Sequence, residues 1–216
     1  MYFNYYILTS LFSILSLTDG LRICIVGASS SLGRELIYQG INDFSYRITG
    51  ITNSPSKIYV PYRGPGLEDK SNDITMIDHK LNIINYLEEV PDYDSIIFTT
   101  GGTAFEKLDY SDKVMNKFLK NLSEECKSIS LVSAFGVGDS INGANLGIVA
   151  MRNWYLKDVY RAKEEQEKML SNYEGDIKKF IYRPKVLSYG DTNFDSTTRY
   201  DLAKKMLEDI KSNNIN

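Results

Sequence analysis

The sequence is poor in the residues that build metal centres, disulfide frameworks and basic surfaces. It holds two cysteines and one histidine among 216 residues. Cys24 lies inside the apolar run RICIV and Cys126 near the end of a predicted helix; neither has metal-ligand or disulfide-framework spacing. His79, in IDHKL, has no clustered ligands and reads as a solvated turn residue, so no metal site is expected. Positive charge is not in excess either, since 25 Lys and Arg face 28 Asp and Glu for a formal net charge of -3. The pair Lys204-Lys205 is diluted by Asp201, Glu208 and Asp209, which leaves no field for nucleic acid.

Long apolar runs are missing too. The nearest approach is Tyr6 to Leu17 in the opening segment MYFNYYILTSLFSILSLTDG, broken by Thr9, Ser10, Ser13 and Ser16. It falls short of the roughly 20 apolar residues of a membrane span. Its length suits a signal-peptide core, yet no Lys or Arg precedes it and no small-x-small cleavage site follows. A cleaved signal, a leading helix packed on the domain and a mis-assigned start all stay open, and the compartment, cytoplasmic or secretory, stays open with them. Residues 1–20 are therefore set apart as an extension, and 21–216 as the domain.

What is present is ordinary globular material: 43% hydrophobic and 25% charged residues, in a length suited to one α/β domain. Short apolar runs alternate with helical patterns. Arg22 to Val26 reads as a strand, followed by the glycine loop Gly27-Ala28-Ser29-Ser30-Ser31-Leu32-Gly33 and a helix, LGRELIYQGI. Tyr46 to Thr52 is a second strand, ended by Asn53-Ser54-Pro55. Ser56 to Ser71 is loop, Asp73 to Ile77 a third strand, and Leu81 to Val90 a helix closed by Pro91. Ser95 to Thr99 is a fourth strand running into Thr100-Gly101-Gly102, with a helix from Ser111, as N-cap, to Lys127. Ser128 to Val132 is a fifth strand, and Phe135 to Gly147 a glycine-rich loop. The longest helix is expected over Trp154 to Ser171, a sixth strand over Lys179 to Tyr182, and a last helix over Thr197 to Ile210. Continuously apolar strands alternating with helices predict a doubly wound parallel sheet, a Rossmann-type α/β domain.

A glycine loop between a strand and a helix is the setting of a dinucleotide fingerprint. Its glycines serve a tight turn, the close approach of backbone to pyrophosphate, and helix–strand packing. Gly27 and Gly33 fill the first and third roles, while Ser30 or Ser31 stands where the second belongs. A serine adds a Cβ there, but its hydroxyl can donate to phosphate, and the helix N-terminus still offers N–H groups.

On these residues and those that follow them, the chain resembles the atypical short-chain dehydrogenases/reductases, the compact kind that includes biliverdin/flavin reductase and NmrA-like proteins. IVGASSSLGREL is similar to that family's first strand, loop and helix, and TNSPSK to its segment after the second strand. Asp78 stands where the family places an aspartate near the adenine, and VSAFGVG matches the serine-bearing end of its fifth strand. Lys163, Glu167 and Leu170, then Tyr182-Arg183-Pro184, match its lysine helix and sixth strand. The likeness runs from about Leu21 to Leu187. It implies a nicotinamide cofactor held by Gly27, Ser29, Ser30, Ser31, Leu32, Gly33, Asn53, Ser54, Lys57, Asp78, Thr99, Thr100, Gly101, Ser133, Lys163 and Pro184, and a small-molecule substrate.

No carboxylate stands among Thr52 to Lys57 to repel a 2′-phosphate, so NADP(H) is expected over NAD(H), with Ser54 and Lys57 as contacts. The family's usual arginine is Asn53 here, which weakens that clamp, and Lys57 also reads as a plain solvated charge. Typical members pair a serine with a tyrosine and a lysine four residues beyond it. Ser133 and Lys163 are in place as catalytic candidates, but Val159 stands where the tyrosine would be, and Tyr160 is rotated by roughly 100°. The flavin- and biliverdin-reducing members also lack the Tyr-Lys pair. Ser133 also reads as a backbone cap, Lys163 as the surface partner of Glu167, and Tyr160 as packing. Two functions follow: an NADPH-dependent reductase of a planar acceptor such as a flavin, a quinone or a carbonyl compound, set against Phe135, Trp154 and Tyr155, or a non-catalytic dinucleotide-binding redox sensor or assembly/regulatory protein. The sequence carries no signal for oligomeric state.

Overall fold

The computed structural model describes residues 20–58, 81–84, 92–100, 109–188 and 196–215. Its centre is a six-stranded parallel sheet in the order β3-β2-β1-β4-β5-β6. The strands are β1 (Arg22–Val26), β2 (Arg47–Ile51), β3 (Leu81–Ile84), β4 (Ser95–Phe98), β5 (Ser128–Val132) and β6 (Lys178–Tyr182). Parallel neighbours need crossovers, and helices supply them: α1 (Ser31–Asn42) between β1 and β2, and α2 (Asp109–Lys120) between β4 and β5. Between β5 and β6 lie α3 (Leu146–Ala150), a π-helical turn (Met151–Tyr155) and α4 (Lys157–Ser171). The short pair β7 (Leu187–Ser188) and β8 (Thr197–Thr198) precedes the last helix, α5 (Arg199–Ile215).

Alternation along β1 explains why its sequence is apolar from Ile23 onward. Ile23 and Ile25 join one buried cluster with Leu36, Ile37 and Ile41 of α1 and Met206, Leu207 and Ile210 of α5. Cys24 and Val26 face the other way, into a cluster with Phe98, Met115 and Phe118. Both faces are covered, so past Arg22 at its start neither parity of the strand carries a polar residue. The expected doubly wound Rossmann architecture is what the chain adopts.

Several expected boundaries are corrected. Leu81–Ile84 begins no helix; it pairs in register with Ile48–Ile51 and forms the sheet edge, where cross-strand burial outweighs the helical pattern. The strand expected at 73–77, and the rest of that helix, lie outside the described residues. So do residues 1–19 and their signal-peptide reading. The helix expected from Ser111 to Lys127 runs from Asp109 to Lys120, so Ser111 lies inside it. It ends where the Asn121 amide side chain takes the Lys117 carbonyl at 2.8 Å, competing with the helical ladder. Cys126 accordingly sits buried in the turn before β5, past the helix.

The helix expected over Trp154 to Ser171 is broken at Leu156, whose N–H reaches back to the Met151 carbonyl at 2.7 Å and closes the π turn. The longest helix among the described residues is α5, with 17 residues against 15 in α4. It starts at Arg199 because Thr197–Thr198 pairs with Leu187–Ser188, and Thr198 Oγ1 accepts the Asp201 N–H at 3.0 Å. Part of the expected loop 135–147 is a 3-10 segment, Gly138–Gly143.

Candidate functional site

The chain leaves β1 toward β2 and β4 toward β5, in opposite directions across the sheet. The strand order reverses between β1 and β4, and ligands of open α/β sheets bind beyond the carboxyl ends at such a point. Gly27 follows β1 there, with φ +91. A Cβ on Gly27 would stand 2.7 Å from Thr99 Oγ1, so only glycine fits both the turn and this neighbour. A Cβ on Gly33 would stand 2.5 Å from the Gly27 carbonyl oxygen, which holds α1 close against the strand end. The first and third fingerprint roles are thus filled as expected.

Hydroxyls occupy the space between. Ser30 is the N-cap of α1 and accepts the Gly33 N–H at 2.9 Å. Ser30 Oγ also lies 3.1 Å from Thr99 Oγ1, joining the loops after β1 and β4 directly. Thr99 Oγ1 reaches the carbonyl oxygens of Val26 and Gly27 at 3.0 Å and 2.9 Å. Thr52 donates to Ser29 Oγ at 2.7 Å and accepts the Ser54 N–H at 3.0 Å, tying the glycine loop to the end of β2. Ser31 Oγ accepts from Arg34 at 3.2 Å, and Leu32 is buried in the first turn of α1. Asn53 and Lys57 are exposed beside half-buried Ser54. Asp78 and Gly101 lie outside the described residues.

The carboxyl end of β5 carries the second part of the site. Ser133 is 5% exposed, and its Oγ has no hydrogen-bond partner among the described residues. It caps no backbone group. Lys163, equally buried, projects from α4 and donates to the Val132 carbonyl oxygen at 2.6 Å and to that of Thr100. Its reading as the surface partner of Glu167 is corrected. Glu167 instead receives both forks of Arg183, at 2.8 Å and 2.7 Å. Those hydrogen bonds raise the Arg183 pKa above its ordinary value.

Next to Lys163, fully buried Gln166 donates to Thr100 Oγ1 at 3.1 Å. Pro184 accepts the Phe135 N–H at 3.0 Å, which holds the loops after β5 and β6 together. Tyr160 is 8% exposed and donates to the Phe135 carbonyl oxygen at 3.1 Å, while burial raises its pKa. It is packing, as expected. Between β5 and β6, Leu146 and Trp154 are 88% and 82% exposed, with Tyr155 and, past β6, Val186 also open.

Sequence reading missed Gln166, the Glu167–Arg183 pair and the Thr52–Ser29 link. Gln166 lies three residues after Lys163, so helical spacing alone could have placed both on one face. The other two join segments far apart in the chain. Among the described residues there is no cluster of His, Cys, Asp and Glu fit to hold a metal, and no helix long and apolar enough to cross a membrane.

No protein-family model matches the sequence, and no curated protein does either. Solved structures do share the fold. The oxidoreductase ylbE from Lactococcus lactis superposes with a TM-score of 0.62 at 19% identity, over 89% of this chain and 86% of its own. ChuY, an anaerobillin reductase from Escherichia coli O157:H7, gives 0.57 at 18%, over 87% and 89%. A short-chain dehydrogenase/reductase from Veillonella parvula DSM 2008, solved in complex with NADP, gives 0.58 at 15%, over 89% and 88%. At these identities the likeness is one of fold.

Proposed function

We propose that this chain is a nicotinamide-dependent reductase of the atypical short-chain type. Its dinucleotide would lie across the carboxyl ends of β1 and β4, with NADP(H) preferred. The observation that carries the reading is the buried, unpartnered hydroxyl of Ser133 at the end of β5. An unpaired buried hydroxyl costs on the order of 1–3 kcal/mol, a cost that a ligand would remove. The fold similarity to oxidoreductases, one of them solved with NADP, agrees with it.

The residues present fit such a cofactor. Gly27 and Gly33 keep the loop tight against Thr99 and against α1, where any Cβ would collide, and the N-terminus of α1 follows directly with Ser30 as its cap. The loop from Gly27 to Gly33 would hold the pyrophosphate, and Thr99 and Thr100 would line the crevice. Asn53, Ser54 and Lys57 would meet the 2′-phosphate, with no carboxylate among Thr52 to Lys57 to repel it. When bound, a reduced nicotinamide supplies a hydride. Ser133 would orient the acceptor or the carboxamide by its hydroxyl. Lys163 would hold the ends of β4 and β5 at fixed separation through Thr100 and Val132. Phe135, Trp154 and Tyr155 would offer ring surface to a planar acceptor such as a flavin or quinone, for which positioning does much of the work.

A second reading, a dinucleotide-binding sensor without turnover, is favoured by one observation. Val159 stands at the tyrosine position, and the phenol of Tyr160 is already committed to the Phe135 carbonyl. Calorimetry with NADPH and NADH, followed by the loss of NADPH absorbance on adding FMN or a quinone, separates the two. Binding with turnover supports the reductase. Binding without turnover across flavin, quinone and carbonyl acceptors supports the sensor, and no binding of either cofactor rejects both.

A further inference from the structure

A hydroxyl carries one proton, and the contacts around Thr99 fix where its own goes. Thr99 Oγ1 lies 3.0 Å from the Val26 carbonyl oxygen and 2.9 Å from that of Gly27, and carbonyls only accept. The Thr99 proton is engaged there. Ser30 Oγ, at 3.1 Å, must therefore be the donor to Thr99. The same oxygen accepts the Gly33 N–H at 2.9 Å as the cap of α1. The proton of Ser30 and one of its lone pairs are thus turned inward, which leaves it no proton to give a phosphate.

Ser29 is arranged the other way. Its oxygen accepts from Thr52 at 2.7 Å, and Thr52 has the Ser54 N–H on its own oxygen at 3.0 Å. The Ser29 proton has no acceptor among the described residues, and the residue is half-buried at the mouth of the loop. Thr99 also depends on Gly27, since its hydroxyl fills the space a Cβ there would take. Three adjacent features of the loop therefore act as one device.

We propose that Ser30 and Thr99 form a positioning latch in place of the loop's interior glycine, and that Ser29, not Ser30, gives its hydroxyl to the dinucleotide's pyrophosphate. The interior glycine of a fingerprint lets backbone approach the pyrophosphate. Here the serine side chain is drawn toward β4, which leaves the outer side of the loop to backbone N–H groups and to Ser29. Ser30 stabilises the fold of the loop and touches no ligand. The role of Ser29 rests on the nicotinamide reading given above, and the latch itself does not.

The test uses the full chain and two readouts, the thermal midpoint without cofactor and the calorimetric Kd for NADPH. S29A raises Kd about tenfold or more, as expected for one hydrogen bond to a charged group, and leaves the midpoint within about 1 °C. S30A lowers the midpoint by about 2–6 °C through loss of the cap and changes Kd less than about threefold. T99V lowers the midpoint similarly, T99S restores it, and the double variant S30A/T99V falls well short of the sum of the single shifts. The proposal is overturned if S30A weakens NADPH as much as S29A with its midpoint unchanged, or if the S30A and T99V shifts add. If the wild-type chain binds neither NADPH nor NADH, the nicotinamide reading and the role of Ser29 fail together. The midpoint cycle then still decides the latch.

Discussion

Lys163 donates to the main-chain carbonyl oxygen of Val132 at 2.6 Å, from a side chain only 5% exposed. The same ammonium reaches the Thr100 carbonyl, so one cation joins α4 to the ends of β4 and β5. A buried charge of this kind is tolerated because polar acceptors surround it. Lys163→Met keeps the stem and removes the donors, leaving both carbonyls short of a partner. It is expected to cost about 2–4 kcal/mol in urea unfolding, since hydrogen bonds to charged groups contribute about 1.5–3 kcal/mol each. A Met variant as stable as wild type, but with weakened NADPH binding, would instead make Lys163 a direct ligand.

Ser133 presents the reverse case. Its hydroxyl has no protein partner among the described residues to lose, so Ser133→Ala is expected to leave stability within about 0.5 kcal/mol or improve it slightly. If the hydroxyl orients a bound group, turnover falls about 10- to 100-fold at unchanged Tm. Thermal unfolding and steady-state kinetics on one preparation read both quantities.

At the end of β2, Lys57 is exposed and no carboxylate stands between Thr52 and Lys57. Lys57→Ala is expected to weaken NADPH by about three- to tenfold, while NADH changes by less than about twofold, because only the former carries the 2′-phosphate. The preference also falls with salt, as expected for an exposed charge. Asn53→Arg adds a second cation beside Lys57 and is expected to tighten NADPH selectively. Calorimetry with both cofactors decides; equal effects on the two would remove this loop from phosphate recognition.

Buried thiols give a pH dependence with a definite sign. Burial pushes Cys126 up to about 11 from an ordinary 9.0, and Cys24 higher still. Below about pH 9 both states hold these protons, and the stabilisation is fully present. Between about 9 and 11 the unfolded chain releases thiol protons that the folded chain retains, so stability falls as pH rises. The slope reaches at most about 1.4 kcal/mol per pH unit for each thiol. The contribution of Cys126 is exhausted above about pH 11. Urea titrations across this range, compared with Cys126→Ser, should show the shallower slope in the variant.

Much of this molecule was legible before its structure. Apolar strands alternating with helices fixed a doubly wound sheet, because a strand buried on both faces has no polar parity to display. Gly27 and Gly33 announced their turn and packing roles through spacing. Leu81–Ile84 was not legible. Four residues of that composition fit a helix or a strand, and only pairing with β2 chooses between them. Lys163 showed a helical i,i+4 partner in sequence, yet that partner pairs with Arg183, just past the end of β6, a contact no local pattern contains.

The glycine loop marks the boundary most clearly. Sequence determined that a serine replaces the interior glycine and that the strand–loop–helix context survives. Only the tertiary structure decided where that serine points, because its partner Thr99 lies 69 residues further along the chain, just past the end of the neighbouring strand. Periodicity and turn chemistry act between near neighbours and are written in the order of residues. A hydroxyl's single proton goes to whichever group the packed sheet brings within hydrogen-bond reach, and only folding makes that choice.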